Sequence, residues 1–293
     1  VHIATEGTLG MAARAVCLTE KHPFSTAYHT RFPEYVSARL PVPVSWGYSF
    51  VRWFHKYSGK VMVATPSLMK ELEDEGFKNL VSWSRGVDTD VFTPLKRVED
   101  GHPGDPFAGL ARPIFLNVGR VAVEKNIEAF VELDLPGTKV IVGDGPQLEE
   151  LKRKYKDVVF LGAKFGDELA ACYAGADVFV FPSLTDTFGL VVLEAMAAGT
   201  PVAAFDATGP RDVIPGSGAG TITPLDGDLA KGAIDCLSLS REAARAHAET
   251  YSWRACAEVF LENLQPLDPP QRRRFWHKIR IRRRKAKVEG AEG

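Results

Sequence analysis

Apolar runs alternate with amphipathic segments through the middle of the chain. The run PIFLNVG (113–119) is followed by the helical spacing of VEKNIEAFVELD. The alternation continues through TKVIVGDG with PQLEELKRKYKD, VVFLGA with GDELAACYAGA, DVFVFPS with FGLVVLEAMAAG, and TPVAAFD. Continuous apolar runs are typical of strands buried on both faces, and the helices between them indicate right-handed βαβ units. The pattern predicts a doubly wound, Rossmann-like α/β domain with a parallel sheet.

The first part of the chain repeats this pattern less completely. HIATEG, FSTAYHT, VMVATPS and NLVSWSRGV predict strands, with helical segments between them, and a stretch rich in Pro, Gly and Asp then indicates a domain boundary. TYSWRACAEVFLENL predicts a closing helix, which PLDPP follows. We therefore predict the remnant of an α/β domain at 1–92, a linker at 93–112, a second α/β domain at 113–250, a closing helix at 251–265 and a basic tail at 266–293.

Length and composition fit two globular domains. The chain has 293 residues, of which 45% are hydrophobic and 25% are charged. No apolar run reaches the roughly 18–20 residues of a membrane-spanning helix. Because the chain opens at Val1 without a Met, we interpret it as a fragment of a longer protein. The four cysteines are far apart in predicted helices, without a CxxC pair, and are predicted to be buried thiols in a reducing compartment.

The formal net charge of −1 hides an asymmetry. Residues 271–287 (QRRRFWHKIRIRRRKAK) carry seven Arg and three Lys and no acid, and removing these ten from the 36 basic residues leaves 26 against 37 acidic ones. The globular part is therefore acidic and the tail is a separate cationic element. Aromatic and apolar residues among its cations suit an anionic membrane surface. A solvated tail and a nucleic-acid-binding arm are the alternatives, of which the nucleic-acid arm is the least favoured.

The loops after the strands are where ligands bind in a doubly wound sheet. Arg120 follows the first strand of the second domain, and Lys125 lies at the start of the next helix, which predicts a diphosphate site. The alternative is a pair of solvated surface cations. In the next loop, Gly143 and Gly145 flank Asp144, so that a ligand can approach closely. An ordinary strand-to-helix turn explains that loop equally well.

Two carboxylates mark the segment TDTFGLVVLEAMAAGTPV. Helical periodicity places Leu190, Leu193 and Met196 on one buried stripe, with Glu194 beside it. A buried Glu needs a partner, and an acidic residue in such folds accepts hydrogen bonds from a ribose diol. Asp186 lies just before the helix, about 10 Å from Glu194 at 1.5 Å per residue, a distance that a nucleotide-sugar spans. The alternative is a helix N-cap and a solvated Glu.

Several ordered motifs resemble one family. GRVAVEKN, GDGP and FPSLTDTFGLVVLEAMAAGTPVAA closely resemble the C-terminal domain of the GT-B-fold, retaining glycosyltransferases of family 4. YHTRFPEY and SRGVDTDVFTP are similar to the second half of that family's acceptor-binding domain and its crossing into the donor domain. The resemblance covers about residues 1–265. It implies two Rossmann-like domains facing across a cleft, of which the first is incomplete in this chain.

The resemblance implies roles for individual residues. Arg120 and Lys125 match the basic pair that holds the donor diphosphate, and Glu194 matches the carboxylate that binds the ribose. Asp186 stands where the family usually has a Glu that contacts the donor sugar, and it is one methylene shorter. His29 matches an acceptor-domain histidine that faces the reacting sugar. Catalytic roles are thus implied for His29, Asp186, Arg120 and Lys125, and further substrate contacts for Gly143, Asp144, Gly145, Phe188, Gly189 and Leu190.

The implied reaction is transfer of a hexosyl unit from a nucleotide-sugar to an acceptor hydroxyl of a lipid or glycan, with retention of anomeric configuration. The basic pair and the helix N-terminus stabilise the charge on the leaving diphosphate, so neither a cofactor nor a metal is expected. TDTFG resembles the branch of GDP-mannose-dependent α-mannosyltransferases, which we favour. Sulfoquinovosyl- and other glycosyl-diacylglycerol synthases that use UDP-sugars remain the alternative.

A protein of another class is also compatible with these motifs. A non-catalytic nucleotide-sugar-binding module would retain the same donor site, and the truncated chain itself is expected to bind donor even where it turns over nothing. A GT-B-fold epimerase fits the motifs less well. The resemblance implies a cytoplasmic location, peripheral on the inner face of a membrane if residues 271–287 bind lipid, and nucleic acid is not the expected partner.

Overall fold

The chain forms two compact units. The computed structural model describes residues 1–29, 31–37, 41–186 and 188–266. Unit 1 comprises Val1–Val63, Glu71–Val81 and the described residues from Phe260 onward, and unit 2 comprises Ala64–Lys70 and Ser82–Val259. The domain boundaries given by the sequence stay predictions. The basic stretch 271–287 lies outside the described residues.

Unit 1 is built on a four-stranded sheet in the order β1-β2-β3-β4, in which β1–β2 and β2–β3 are parallel. All four residues of the second strand are buried, as are Val61, Met62 and Val63 of the third. The strands are β1 (His2–Ile3), β2 (Ser25–Tyr28), β3 (Lys60–Val63) and β4 (Leu80–Ser82), and the helices are α1 (Thr8–Thr19), α2 (Phe32–Ser37), α3 (Val44–His55) and α4 (Pro66–Asp74), the last with its first residues in unit 2.

Unit 2 contains a six-stranded sheet that is parallel throughout. Its helices begin at identifiable caps where the sequence supplies them: the side chains of Asp228 and Ser240 accept hydrogen bonds from the backbone N–H groups of Lys231 and Ala243. The strands are β5 (Ile114–Val118), β6 (Thr138–Val142), β7 (Val159–Phe160), β8 (Val178–Phe181), β9 (Val202–Phe205) and β10 (Gly220–Thr223). The helices are α5 (Glu128–Val131), α6 (Leu148–Lys154), α7 (Gly166–Gly175), α8 (Leu190–Ala197), α9 (Pro210–Val213), α10 (Leu229–Cys236), α11 (Arg241–Glu249) and α12 (Trp253–Asn263), the last with its final residues in unit 1.

The strand order of unit 2 reverses once. The order is β10-β9-β8-β5-β6-β7, so the chain runs outward from β5 to β7 and then returns to β8 on the other side of β5. Most of the strands are largely apolar because both faces of the sheet are covered, and the buried apolar residues of β5 and β8 lie in the two core clusters of this unit. Between β5 and β8 lies the topological switch point, where doubly wound sheets bind ligands beyond the carboxyl ends of the strands.

Three arginines hold the opposite, amino-terminal end of β8. Arg97, Arg112 and Arg241 donate to the carbonyl oxygens at the end of α7, and the first two also bind the Asp177 carboxylate. Cations at a helix C-terminus neutralise its partial negative charge. Burial, with the neighbouring guanidinium of Arg97, lowers the pKa of Arg241 to about 10. This cluster is a structural support on the side of the sheet away from the switch point.

Most predicted strands and helices are confirmed, with differences that have physical causes. The predicted helix in VEKNIEAFVELD is wrong in length: the structure has a 3-10 turn at Val123–Lys125, a left-handed Asn126 and a single helical turn, α5. Asn readily adopts this conformation, which ends the first turn. Leu193 and Met196 are buried as predicted, but Leu190 is 41% exposed because it is the first residue of α8. The short elements from α9 to α11 were not predicted.

The cysteine prediction is confirmed as far as burial and pairing go. Cys17, Cys172, Cys236 and Cys256 are all buried, unpaired and placed in helices α1, α7, α10 and α12. Burial raises the pKa of the Cys172 and Cys236 thiols to about 11. Within the described ranges, the helices are too short or too polar to cross a membrane.

Candidate functional site

A cavity of about 420 Å³ opens at the switch point of unit 2. It lies beyond the carboxyl ends of β5 and β8, where the loops that leave these strands meet the first residues of α8. Three chain segments and a single arginine before β5 line it: Asn117, Val118, Gly119, Arg120 and Lys125; Phe181, Pro182, Ser183 and Asp186; Phe188, Gly189, Leu190 and Val191; and Arg85.

The loop after β5 is held by the loop after β6. A Cβ atom on Gly143 would lie 1.8 Å from the carbonyl oxygen of Gly119, and one on Gly145 would lie 2.3 Å from that of Val121. The backbone N–H of Val121 donates to the carbonyl of Asp144 at 2.9 Å. Only glycine permits this approach of two backbones. The glycines of GDG thus accommodate the neighbouring loop, which presents Arg120 and Lys125 to the cavity.

Hydrogen bonds also tie the loop after β5 to the loop after β8. The side-chain amide of Asn126 donates to the carbonyl of Pro182 at 3.1 Å, and the hydroxyl of Thr185 donates to the carbonyl of Glu124 at 3.0 Å. The left-handed backbone of Asn126 (φ 53°) turns its side chain toward this contact. The two walls of the cavity are therefore fixed relative to each other before any ligand binds.

Helix α8 begins at the cavity. Gly189 precedes it with φ of 79°, a left-handed conformation that a residue with a Cβ rarely adopts. A Cβ on Gly209 would lie 2.8 Å from the carbonyl oxygen of Phe188, so Gly209 allows the Phe188 loop to pack closely. The first backbone N–H groups of a helix lack partners within it and carry partial positive charge. The N-terminus at Leu190 thus adds an anion-binding feature to the cavity.

Two oppositely charged predicted residues pair with each other in the cavity. The ammonium of Lys125 donates to both carboxylate oxygens of Asp186, at 2.7 and 2.9 Å. Arg120 is 66% exposed and has the Glu124 carboxylate at 3.6 Å. Lys125 thus meets the cavity as part of an ion pair, and the side chains of Arg120 and Arg85 line the cavity together with the α8 N-terminus.

Three polar residues of the cavity were not predicted as ligands. The family resemblance matches Arg85 to the segment that enters the hinge and favours it less as a ligand. In the structure Arg85 lines the cavity, lies 5.0 Å from the Trp83 ring, and has a pKa lowered by burial. Asn117 is buried and donates to the carbonyl of Val180. Among the residues that the structure describes, the buried hydroxyl of Ser183 has no hydrogen-bond partner. A polar residue at a strand's carboxyl end, as in NVGR and FPS, is the signal that was available.

Glu194 lies in the second turn of α8, outside the residues that line the cavity. Its carboxylate accepts a hydrogen bond of 2.8 Å from the hydroxyl of Tyr173, a fully buried residue of α7. Burial raises the pKa of the Glu194 carboxyl above its ordinary value, against the effect of this hydrogen bond. Residues four apart on a helix are neighbours, so Glu194 lies next to Leu190 at the cavity edge.

The structure brings together part of the predicted site. Six of the predicted residues line one cavity: Arg120, Lys125, Asp186, Phe188, Gly189 and Leu190. Gly143, Asp144 and Gly145 lie in the adjoining loop, Glu194 lies one turn along α8, and His29 follows β2 in unit 1. The ligand roles of all these residues stay predictions, as does the expectation that no metal is needed.

Comparison with known families agrees with this architecture. Residues 112–238, which contain the cavity walls apart from Arg85, match the family described as "Glycosyl transferases group 1". Residues 1–91 match "Glycosyltransferase Family 4". The two matches follow each other along the chain. The chain therefore combines a family 4 and a group 1 glycosyltransferase domain.

Curated relatives carry several glycosyltransferase names. The chain is 32% identical to the sulfoquinovosyl transferase SQD2 of Arabidopsis thaliana, over 87% of this chain and 54% of the relative. It is 33% identical to a GDP-mannose-dependent alpha-mannosyltransferase of Mycobacterium tuberculosis, over 77% of this chain and 60% of the relative. The chain therefore spans between about half and three fifths of the length of these relatives.

Solved structures share the fold. The HepE protein of Anabaena, solved in complex with UDP, superposes with a TM-score of 0.71 at 17% identity, covering 89% of this chain and 77% of HepE. The sucrose-phosphate synthase of Thermosynechococcus elongatus superposes with a TM-score of 0.72 at 23% identity, covering 89% and 72%. At these identities the likeness establishes the α/β fold with parallel sheets.

Proposed function

We propose that the cavity of unit 2 binds a nucleoside diphosphate sugar, and that the chain is the donor-binding part of a retaining hexosyltransferase. The observation that supports this most strongly is the meeting of Arg120, Lys125 and the N-terminus of α8 at the switch point. Each of these groups favours an anion, and they converge from separate loops. A diphosphate is the part of the donor that such a site recognises.

The ion pair between Lys125 and Asp186 links the binding of the diphosphate to the binding of the donor sugar. When the diphosphate binds, Lys125 has two anionic partners, and the Asp186 carboxylate becomes available to hydroxyl groups of the sugar. Positive charge from Arg120, Lys125 and the helix N-terminus then opposes the negative charge that develops on the leaving diphosphate. This arrangement needs no reorganisation of the two loops, because their mutual hydrogen bonds already fix them.

Glu194 completes the proposed donor site as the ribose-binding group. Tyr173 holds one of its oxygens, which orients the carboxylate and leaves the second oxygen to accept hydrogen bonds from a diol. A half-buried carboxylate whose pKa is raised by burial is costly to keep charged, which is typical of a group retained for function. Its position beside Leu190 puts it at the cavity edge.

The proposed donor is GDP-mannose. Three curated relatives at 33–35% identity are named GDP-mannose-dependent alpha-mannosyltransferases. A UDP-sugar is the second candidate, because HepE was solved with UDP, and relatives named sulfoquinovosyl transferase and alpha-monoglucosyldiacylglycerol synthase point to a different hexose and to a lipid acceptor. A non-catalytic donor-binding module remains the candidate of another class, since every residue lining the cavity belongs to unit 2.

A thermal-shift panel tests the proposal. GDP, UDP, ADP and their sugar conjugates are added to the full chain and to Arg120→Gln, Ser183→Ala and Glu194→Gln. A ligand at 100 times its Kd stabilises by about 2.7 kcal/mol, and each substitution is expected to weaken the response. Glu168→Gln, an exposed carboxylate on α7, is the matched control. If no nucleotide shifts the wild-type chain, the donor-site assignment is wrong.

A further inference from the structure

Arg85 lines the cavity of unit 2 from a separate part of the chain. The other lining residues lie between 117 and 191, in the loops after β5 and β8 and at the start of α8. Arg85 lies before β5, in the stretch 83–92, which we name the incoming segment. The cavity therefore receives a third cation, beside Arg120 and Lys125, from an independent element of the chain.

Helix α12 holds the incoming segment immediately before Arg85. The indole N–H of Trp83 donates to the carbonyl of Cys256 at 3.2 Å, and the thiol of Cys256 donates to the carbonyl of Ser84 at 3.1 Å. The guanidinium of Arg85 lies 5.0 Å from the centroid of the Trp83 ring. A cation over an aromatic ring is attracted to its face, so this contact restricts the side chain of Arg85 as well as its backbone.

The residues immediately after Arg85 are also held in place. A Cβ atom on Gly86 would lie 2.7 Å from the Cα atom of Trp253, so a glycine allows the segment to approach the start of α12 this closely. The backbone N–H of Val87 donates to the carbonyl of Tyr251 at 2.8 Å. Because contacts lie on both sides of Arg85, its position at the cavity is fixed before a ligand binds, which reduces the entropy lost on binding.

Arg245 of α11 ties the incoming segment to the helix that begins at the cavity. Its guanidinium donates to the carbonyls of Thr89 and Phe92, at 2.9 and 2.8 Å, and to the carbonyl of Ala197 at 3.0 Å. Ala197 is the last residue of α8, and the first residues of α8 line the cavity. The segment that carries Arg85 and the helix whose N-terminus favours an anion are therefore joined through one side chain.

The charge of the cavity matches that of a diphosphate only when Arg85 is included. The ammonium of Lys125 is paired with the Asp186 carboxylate at 2.7 Å, which leaves Arg120 as the remaining cation of the predicted site. The lining residues carry a net charge of two with Arg85 and of one without it. Each phosphate of a nucleotide-sugar carries one negative charge, and more negative charge develops on the diphosphate as it leaves. Arg85 therefore supplies the charge that the second phosphate needs.

We infer that Arg85 is a third diphosphate-binding side chain, whose guanidinium donates to phosphate oxygens of the donor together with Arg120 and Lys125. A planar guanidinium can donate two parallel hydrogen bonds to one phosphate, which an ammonium cannot do. Burial lowers the pKa of Arg85, so its surroundings disfavour the charged form until an anion compensates them. The inference rests on the proposed donor site and adds to it a residue that touches the leaving group.

Isothermal titration of the full chain with GDP and UDP tests the inference. Arg85→Gln is expected to weaken the binding of the nucleoside diphosphate about 10–100-fold, as for the loss of a charge-assisted hydrogen bond. Its affinities for guanosine and uridine, measured by displacement of the diphosphate, are expected to equal those of the wild type. Arg254→Gln is the matched control, because it removes the same charge from an exposed position on α12 and is expected to change none of these affinities.

The wild-type chain and the variant fail in different ways. A wild-type chain that binds neither GDP nor UDP contradicts the donor site itself, and the role of Arg85 with it. If the wild type binds and Arg85→Gln binds equally well, or loses nucleoside and diphosphate affinity alike, only the assignment of Arg85 is overturned. Salt gives a second readout, since the affinity of Arg85→Gln for the diphosphate is expected to fall less steeply with ionic strength.

A conservative variant covers the case in which Arg85→Gln does not fold. Arg85→Lys keeps the positive charge without the planar fork. Its affinity for the nucleoside diphosphate is expected to lie several-fold below that of the wild type, with nucleoside affinity unchanged. A diphosphate affinity equal to that of the wild type would overturn the inference that the guanidinium contacts the phosphates.

Discussion

At the scale of single residues, the ion pair between Lys125 and Asp186 decides which charges the cavity offers to a ligand. With Asp186→Asn, Lys125 loses its anionic partner and is free for the diphosphate. We expect this variant to bind GDP or UDP several-fold more tightly, since a partly exposed pair is worth up to about 1 kcal/mol. Hexosyl transfer is expected to fall, because the sugar loses a carboxylate.

Isothermal titration with the nucleoside diphosphate, set beside a transfer assay, measures both effects. Asp167→Asn is the matched control, because Asp167 is an exposed α7 carboxylate paired with Lys96 outside the cavity. A weaker affinity of Asp186→Asn for GDP and UDP would contradict the idea that Asp186 competes with the diphosphate for Lys125.

Glu194 makes the free energy of unfolding depend on pH, and the burial of its carboxyl determines the direction of this dependence. In the unfolded state the pKa of this carboxyl is near the ordinary 4.5, and in the folded state burial raises the pKa. Between the two values the native state holds more protons than the unfolded state, so the free energy of unfolding falls as pH rises through this window and stays lowered above it. Glu194→Gln keeps an acceptor for Tyr173 without the charge, so its Tm is expected to exceed the wild type near neutral pH.

The same substitution is expected to weaken nucleotide binding about 10–100-fold, the equivalent of about 1.5–3 kcal/mol for a charge-assisted hydrogen bond. Differential scanning calorimetry across pH measures the change in Tm. The gain in Tm of Glu194→Gln should vanish below about pH 4.5, where the wild-type carboxyl is protonated in both the folded and the unfolded state. A variant that is less stable than wild type at neutral pH would show that the carboxylate is a structural group and not one kept for a ligand.

At the scale of elements, the packing of one loop against another controls the cavity. Gly143→Ala would force a Cβ to within 1.8 Å of the Gly119 carbonyl oxygen, so the loops must separate. We expect a loss of about 3 kcal/mol in the free energy of unfolding, as for overpacked positions. Gly119→Ala is the matched control: Gly119 has φ of 153° against 152° for Gly143, and no atom of the described residues lies within 4 Å of its added Cβ.

Urea denaturation of the two variants measures this difference. Equal losses would mean that backbone conformation at these glycines, and not the contact between loops, determines stability. The same reasoning explains why the sequence alone assigned the GDG glycines to a ligand: spacing indicates that a close approach occurs, but it does not show whether the approaching group is a ligand or another loop.

The parallel sheet was predictable because its signal is local. β8 and β9 are continuous apolar runs, and β5 and β6 are apolar except at Asn117 and at Thr138 and Lys139. Burial on both faces leaves that mark in the sequence. The single turn of α5 was not predictable from periodicity, because the left-handed Asn126 interrupts a segment whose spacing is otherwise helical. Ser183 and Asn117 were missed because their position at the cavity depends on the reversal of strand order, which is a property of the whole sheet.

At the scale of the whole molecule, His29 distinguishes an enzyme from a donor-binding module. His29 follows β2 in unit 1, whereas the residues that line the cavity belong to unit 2. Nucleotide binding by unit 2 is therefore expected to be unchanged in His29→Ala. If the predicted role is right, transfer to an acceptor falls by a factor of about 10²–10⁴, the usual contribution of a positioned catalytic side chain.

The measurement combines the thermal response to GDP with a transfer assay, using His22→Ala in the turn before β2 as control. Unchanged binding with lost transfer would support a catalytic role for His29, because a donor-binding module has no transfer to lose. Unchanged transfer would remove His29 from the predicted catalytic set and leave Arg120, Lys125 and Asp186 within unit 2. A wild-type chain that binds GDP but transfers nothing would support the donor site alone, because a chain with an incomplete first domain is expected to bind donor without turnover.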